Sequence, residues 1–354
     1  METFELLTAL TQATGVSGEE DHVLSVAAEL VKNLGETSIS TLKSLICKVK
    51  VADPSKPHIM LNAHIDEIGM LVRGIDKNGF AKIARVGGID RRMIMSSPVI
   101  AHTEEGEFYG VVGSTPPHLQ KGEKKNPTLD EVYVDFGFDS KEECEKHIPI
   151  GTILTFEGEM VELKNGLAAS KAMDDRCCCA SLIQACRLLK DMDTDCSITL
   201  MLSSMEEVGG QGAQTASYGI DPTHAIVMDV TFASAPDMSK EKFAPIGGGC
   251  TLSGSGAQDS RRGIDGDEVC IFQRHGGEDG ALRFGTVDIG DAGHHVRRAE
   301  LTGRGDLVVA LIHIGAVCVL DVVVHFIHIP LLLHHRHGQV GYRGRQGQNF
   351  ADLQ

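Results

Sequence analysis

HIMLNAHIDEIG, residues 58–69, joins an apolar run to a knot of titratable side chains. Ile59, Met60, Leu61 and Ala63 read as a buried strand, and His64-Ile65-Asp66-Glu67 follow where that strand runs out. A His-x-Asp by itself is most simply a hydrogen-bonded pair at a strand end. Partners elsewhere in the chain must decide whether it is more.

Outward from this stretch, the pattern on the N-terminal side is helical. Leu6, Leu7 and Leu10, then Val23, Ala27, Leu30 and Val31, recur at helical spacing, and Thr14-Gly15-Val16-Ser17-Gly18-Glu19-Glu20 interrupts them with a turn and a cap. A second strand is expected at 46–52. From 69 to 163 the texture changes to short β segments: GMLVRGI, AKIARVGG, SPVIAHT, GEFYGVVG, EVYVDFG and TILTFEGEMVEL. Gly, Pro and Asp punctuate them, and no helix of useful length is expected there. Beyond lie a helix at 175–191 and buried strands at 197–205 and 224–230. Strands alternating with helices indicate an α/β sheet. The expected organisation is therefore a discontinuous α/β domain, 1–68 with 164–250, carrying an inserted all-β domain at 69–163.

Composition narrows the class. The chain has 354 residues, enough for two domains, and its apolar fraction of 42% supports real cores. A net charge of −16 argues against nucleic acid or an anionic membrane as partner. Ten cysteines without disulfide-like spacing, three of them consecutive (Cys177, Cys178, Cys179), read as reduced thiols. The three are expected to pack as small apolar residues on a helix. METFELLTAL carries acids where a secretory signal needs positive charge. The absence of Trp disfavours stacking sites for sugars or bases. These features describe a cytoplasmic globular protein.

Beyond about residue 250 the sequence changes character. No Lys follows Lys242, and nine of the sixteen histidines lie there. Residues 307–333 approach membrane-spanning length, but His313, Asp321, His325, His328 and Pro330 interrupt them. An out-of-frame translation accounts for 251–354 better than a genuine domain, and a disordered tail is expected.

Three acidic points share the setting of His64: KAMDDR (171–176), SSMEEVGGQGA (203–213) and the end of HAIVMDV (224–230). Carboxylates at strand ends of an open α/β sheet point into the crevice where such folds bind ligands. Imidazole with several carboxylates suits Zn²⁺, Co²⁺ or Mn²⁺. A bridging carboxylate with separate terminal ligands would hold two ions, leaving another carboxylate as general base. Adjacent Glu206 and Glu207 fit that division. The simpler readings are an Asp175–Arg176 ion pair, His118 as a loop residue, and Gly209, Gly210 and Gly212 as sites of close packing at a helix start, since no Lys-Ser/Thr follows for a phosphate loop.

Taken in order, GVSGEE, HIDEIG, GVVGSTPPHL with YVDFG, KAMDDR, SSMEEVGGQGA and MDV resemble the M42 family of metallo-aminopeptidases over about residues 5–250. The resemblance implies a phosphorylase/hydrolase-like zinc-peptidase fold with the inserted β domain, two divalent ions, peptide substrates and a homo-oligomer. His64, Asp174 and Asp229 would hold one ion. Asp174 would bridge to a second, which Glu207 also binds. Glu206 would be the base that activates water, and Asp66 would orient the His64 ring. A cis peptide is implied at Asp174–Asp175. The family's second ion takes an imidazole from the C-terminal portion, where His334 and His335 match only faintly, so one tight and one weak ion, with poor or no peptidase activity for the chain as written, are expected. A related metallo-carboxypeptidase or deacylase, a glycosidase and a catalytically impaired scaffold are the alternatives; the lack of Trp disfavours the glycosidase.

Overall fold

The computed structural model describes residues 1–116 and 127–230, the single positions 119, 232, 233 and 236, and the backbone of strands at 269–273 and 283–284. His118, His334, His335 and the 307–333 stretch lie outside the described residues, as does most of the region expected to be disordered.

The chain opens with helices α1 (Thr3–Gln12) and α2 (Asp21–Val31), then strands β1 (Glu36–Ile39), β2 (Leu45–Lys50) and β3 (His58–His64). After an excursion through residues 69–169, it returns with helix α4 (Met173–Asp191), strand β12 (Ser197–Ser203), helix α5 (Gln211–Ile220) and strands β13 (His224–Met228), β14 (Val269–Gln273) and β15 (Arg283–Phe284). These strands form one seven-stranded sheet in the order β1-β2-β12-β3-β13-β14-β15. β3 runs parallel to both β12 and β13, with His64 opposite Ser203 and Asn62 opposite Val227. Three strands thus end at one edge, and the residues that follow them meet there.

β3 and β12 are buried from their second residue to their last, as expected for central strands covered on both faces. Leu6 and Leu10 of α1, Val23 and Ala27 of α2, and Leu182, Ile183 and Leu189 of α4 share one core with Leu61, Leu200 and Ile226 of the sheet. Each such large aliphatic side chain contributes about 1.5–3 kcal/mol on burial. On the other face, Ala216 of α5 packs with Met60, Met201 and Ala225. Gly212 makes that approach possible: a Cβ there would lie 2.3 Å from the Ser204 carbonyl oxygen. The expectation of close packing at this helix start holds for Gly212 but not for Gly210, which has open space around it and instead takes a positive φ of 75°.

The excursion is a closed six-stranded barrel, in the order β4-β5-β8-β7-β6-β9. Its strands are β4 (Gly69–Ile75), β5 (Ala81–Val86), β6 (Pro98–Thr103), β7 (Gly106–Ser114), β8 (Val132–Asp135) and β9 (Ile153–Phe156). Met70, Val72, Ile83, Val99, Val112 and Leu154 fill it, a core separate from that of the large sheet. A two-stranded hairpin, β10 (Val161–Glu162) with β11 (Ala168–Ala169), leads back to α4. One expectation fails here, since helix α3 (Lys141–His147) lies within the stretch read as helix-free. KEECEKH carries no apolar stripe to reveal it. The helix is defined by its ends: Ser140 Oγ accepts the Glu143 N–H, acids fill the first turn, and Cys144 is its buried anchor.

Candidate metal centre

His64 closes β3 with its ring almost entirely buried (3% exposed). Its Nε2 lies 3.0 Å from Asp174 Oδ1 and 3.8 Å from Glu206 Oε2. Its Nδ1 lies 3.2 Å from the Asp66 carbonyl oxygen and 3.4 Å from Asp66 Oδ1. Burial disfavours the charged ring, but the hydrogen bonds to Asp174 and Asp66 and the nearby Asp175 charge outweigh it, pushing the imidazole up to about 11.

Asp66 is fully buried and every part of it is used. Oδ2 accepts from Ser17 Oγ at 2.6 Å and from Glu207 N at 3.2 Å, and Oδ1 accepts from Glu206 N at 3.0 Å. Burial alone would raise this carboxyl, yet the His64, Ser17 and Glu206 contacts hold it below its ordinary range. Asp66 therefore touches the His64 ring and the Glu206-Glu207 turn together.

Asp174 and Asp175 begin α4, joined by the one non-proline cis peptide among the described residues, as the sequence resemblance implies. The two carboxylates diverge. Asp174 is 58% exposed and faces the His64 ring, while Asp175 is wholly buried and accepts the His64 backbone N–H at 3.2 Å. Asp175 Oδ1 has no hydrogen-bond partner among the described residues, and burial raises this carboxyl well above its ordinary range. Glu207 and Asp229 are raised as well, to about 7 and about 6. Burial is the main cause in both, and the Asp174 charge adds to it.

Ligand atoms of His64, Asp174 and Glu207 lie within 4.8 Å of one another, and so do those of His64, Asp175 and Asp229. His64 is common to both triples. Glu207 falls in with His64 rather than apart from it, and Asp175 joins Asp229. Cys178 and Cys179 pack into the large core with Cys177 against it, as expected, while Asp175, Cys177 and Cys178 form a third such group. The oxygen- and nitrogen-rich triples suit a hard-to-borderline divalent ion. The buried Asp175 oxygen, without a hydrogen-bond partner among the described residues, fits such an ion.

The expected Asp175–Arg176 ion pair does not form. Arg176 is wholly buried and turns to Glu67 Oε1 at 3.2 Å, donating also to the carbonyls of Ile65, Leu10 and Ala13. Lys171 Nζ sits 2.9 Å from both Glu67 oxygens, and Gly15 N–H donates to Oε1 at 3.1 Å. Lys171 and Arg176 are thus committed to Glu67 and do not neutralise the cluster beside them.

The sequence profile of the M42 glutamyl aminopeptidases matches residues 44–261. The chain belongs to the M42 family. Its relatives include the lysyl aminopeptidase of Pyrococcus furiosus, 36% identical over 251 residues, which are 69% of this chain and 71% of the relative. Among solved structures, an aminopeptidase from the archaeon Desulfurococcus kamchatkensis matches at 35% identity with a TM-score of 0.64, covering 68% of this chain and 66% of its own. The Pyrococcus horikoshii TET1 peptidase, described as assembling into a tetrahedron or a large octahedral shell, matches at 28% identity with a TM-score of 0.61, covering 67% and 72%.

Within the M42 match, the family's peptidase chemistry makes this chain an aminopeptidase-type hydrolase by descent. The contacts that the sequence did not reveal are those of Glu67 with Lys171 and Arg176 and that of Glu20 with the Met205 amide. Glu67 and Lys171 stand inside the quoted HIDEIG and KAMDDR motifs. Nothing in a linear pattern says that they meet across 104 residues.

Proposed function

We propose that the chain is a metal-dependent aminopeptidase that removes N-terminal residues from peptides, with a pair of divalent ions at the sheet edge. One observation carries this reading: an imidazole and four carboxylates converge from three neighbouring strand ends and the start of α4, while the adjacent Lys171 and Arg176 are turned elsewhere. His64, Asp174 and Asp229 would hold one ion, with Asp175 beside Asp229. Asp174 and Glu207 would hold the second. Divalent ions in such a ligand set act as Lewis acids toward a carbonyl and make water a better nucleophile at neutral pH.

The protein's own groups have separate tasks. Glu206 is about half exposed (48%) and within 3.8 Å of the His64 ring, so it can reach into the crevice without being committed as a ligand. It would accept the proton of the attacking water and return it to the leaving amine. Asp66 fixes the His64 ring and the amides of the turn that carries Glu206. The barrel, which we read as an inserted domain, reaches the site through its β5 exit. A Cβ on Gly87 would sit 3.1 Å from the Glu207 Cβ, so that loop lies close against Glu207. By analogy with the TET1 relative, a homo-oligomer is proposed.

Metal-loaded and chelated protein, each offered free-amine and N-blocked peptides, test this function. Cleavage of the free-amine peptides alone, lost on chelation and regained with Zn²⁺ or Co²⁺, is expected. Equal cleavage of blocked peptides would favour the deacylase or carboxypeptidase alternative. Among the described residues this division gives the second ion Asp174 and Glu207 without an imidazole of its own, so titration should show one tight and one weak ion; two equally tight ions would overturn that part.

A further inference from the structure

Glu20 is the N-cap of α2, wholly buried, and its side chain makes no capping bond to that helix. Instead Oε1 accepts two N–H groups from separate parts of the chain, Gly18 at 2.8 Å and Met205 at 3.2 Å. Oε2 has no partner. Asp66 takes the next two amides, those of Glu206 and Glu207. Three consecutive N–H groups therefore end on two buried carboxylates contributed by different segments. The turn they hold is a strained one. Met205 has φ +58°, a conformation a non-glycine residue keeps only when its surroundings fix it. Gly209 N–H to the Glu206 carbonyl (2.9 Å) and Gly210 N–H to the Met205 carbonyl (2.7 Å) close the turn behind it.

The Glu206 side chain, half exposed, has little packing to set its direction, so that direction is inherited from its backbone. A carboxylate buried with an orphan oxygen is an expensive way merely to fill space, since an apolar or amide side chain would do so at lower cost. We propose that Glu20 is a positioning residue for Glu206 and Glu207: through the Met205 amide it ties the GVSGEE loop to the strained turn and keeps both side chains aimed at the sheet edge. Its effect on turnover rests on the reading of Glu206 as the base.

The test compares full-length wild type, Glu20→Gln and Glu20→Ala by backbone hydrogen exchange and by steady-state kinetics with metal loaded. Glu20→Ala should raise exchange at residues 205–207 by about tenfold or more while leaving 198–202 of β12 unchanged. It should lower kcat about 10–100-fold, with KM within about threefold, because a misplacement on the order of 1 Å is enough for such a loss. Glu20→Gln keeps an acceptor oxygen and should restore both to within about threefold. Should Glu20→Ala not fold, Glu20→Asp shortens the arm and is expected to show the same local exchange. Unchanged exchange at 205–207, or a rise spread equally over β12, overturns the proposal. Local loosening without loss of kcat overturns its catalytic part. A wild type that cleaves no peptide overturns the aminopeptidase reading alone, since the exchange comparison still decides whether Glu20 holds the turn.

Discussion

Asp66 and Glu67 on one side, and Asp174, Asp175, Glu207 and Asp229 on the other, are all carboxylates brought to one edge of one sheet. The first pair is satisfied by the protein itself. Asp66 accepts from Ser17, Glu206 and Glu207, and Glu67 accepts from Gly15, Lys171 and Arg176. In the second set, and among the described residues, Asp175 keeps a buried oxygen without a partner, and Asp229 accepts only the N–H of the next residue, Val230, at 2.7 Å. Glu207 and Asp229 are pushed up in pKa mainly because burial disfavours their charged forms, and the Asp174 charge adds to it. A region complete as folded thus abuts one that a cation would complete. Substitutions in the two should fail in different ways.

The largest effect is expected in the satisfied region. Arg176→Met removes a wholly buried guanidinium that holds Glu67 and three carbonyls. Breaking such a pair from one side should cost about 3–5 kcal/mol in urea unfolding. Adding Glu67→Gln should recover part of it, because the two residues share one interaction. A loss below about 1 kcal/mol would show that the clamp is not what holds α4 to β3.

The cation-seeking region should lose chemistry and keep stability. Glu206→Gln is expected to lower kcat by about 10² or more with metal content and melting temperature unchanged. If metal is lost together with activity, Glu206 is a ligand and the division of labour with Glu207 is wrong. Asp175→Asn should behave differently again. It can still accept the His64 N–H, but it removes one negative charge from the crowd. Metal affinity should fall about 10–100-fold, while the chelated protein should be as stable as wild type or more so. A clear loss of stability without metal would place Asp175 with Asp66, among the finished groups.

This contrast also explains what the sequence could reveal. GMLVRGI is β4 to the residue, and HIMLNAH is β3, because a run that is buried or alternating announces its period. Parallel pairing of three such runs then brings their ends together, so His64, Glu206, Glu207 and Asp229 were legible as neighbours. The clamp was not. Arg176 next to Asp175 suggests an ion pair in one dimension, yet consecutive residues at the start of α4 point apart, and the guanidinium finds Glu67 instead. Glu20 reads as a helix cap by position, whereas its carboxylate serves a turn 185 residues away. Helix α3 escaped because seven residues with one buried anchor carry no period. Local pattern reports elements; it does not report which polar atom completes which.

The smallest effect is a slope with pH, and its sign separates the two regions. Glu207 and Asp229 titrate at about 7 and about 6 in the fold, against ordinary values of 4.5 and 3.8. Between those limits the folded, metal-free protein holds protons that the unfolded chain has released. Stability must then fall as pH rises, since its slope follows the protons bound unfolded minus those bound folded. The contribution is fully present below about pH 4 and gone above about pH 7. Asp66 has the opposite sign, because its carboxyl is held low and so favours the fold above the ordinary carboxylate range. A bound divalent ion requires its carboxylates ionised, so metal uptake should release protons and tighten as pH rises through 6 to 7. Urea unfolding of chelated protein across this window should therefore show declining stability, and the decline should vanish or reverse with Zn²⁺ present. A chelated protein that instead gains stability from about pH 4 to pH 7 would mean that the Asp66 type of contact dominates the edge, and that Glu207 and Asp229 are not crowded as the structure has them.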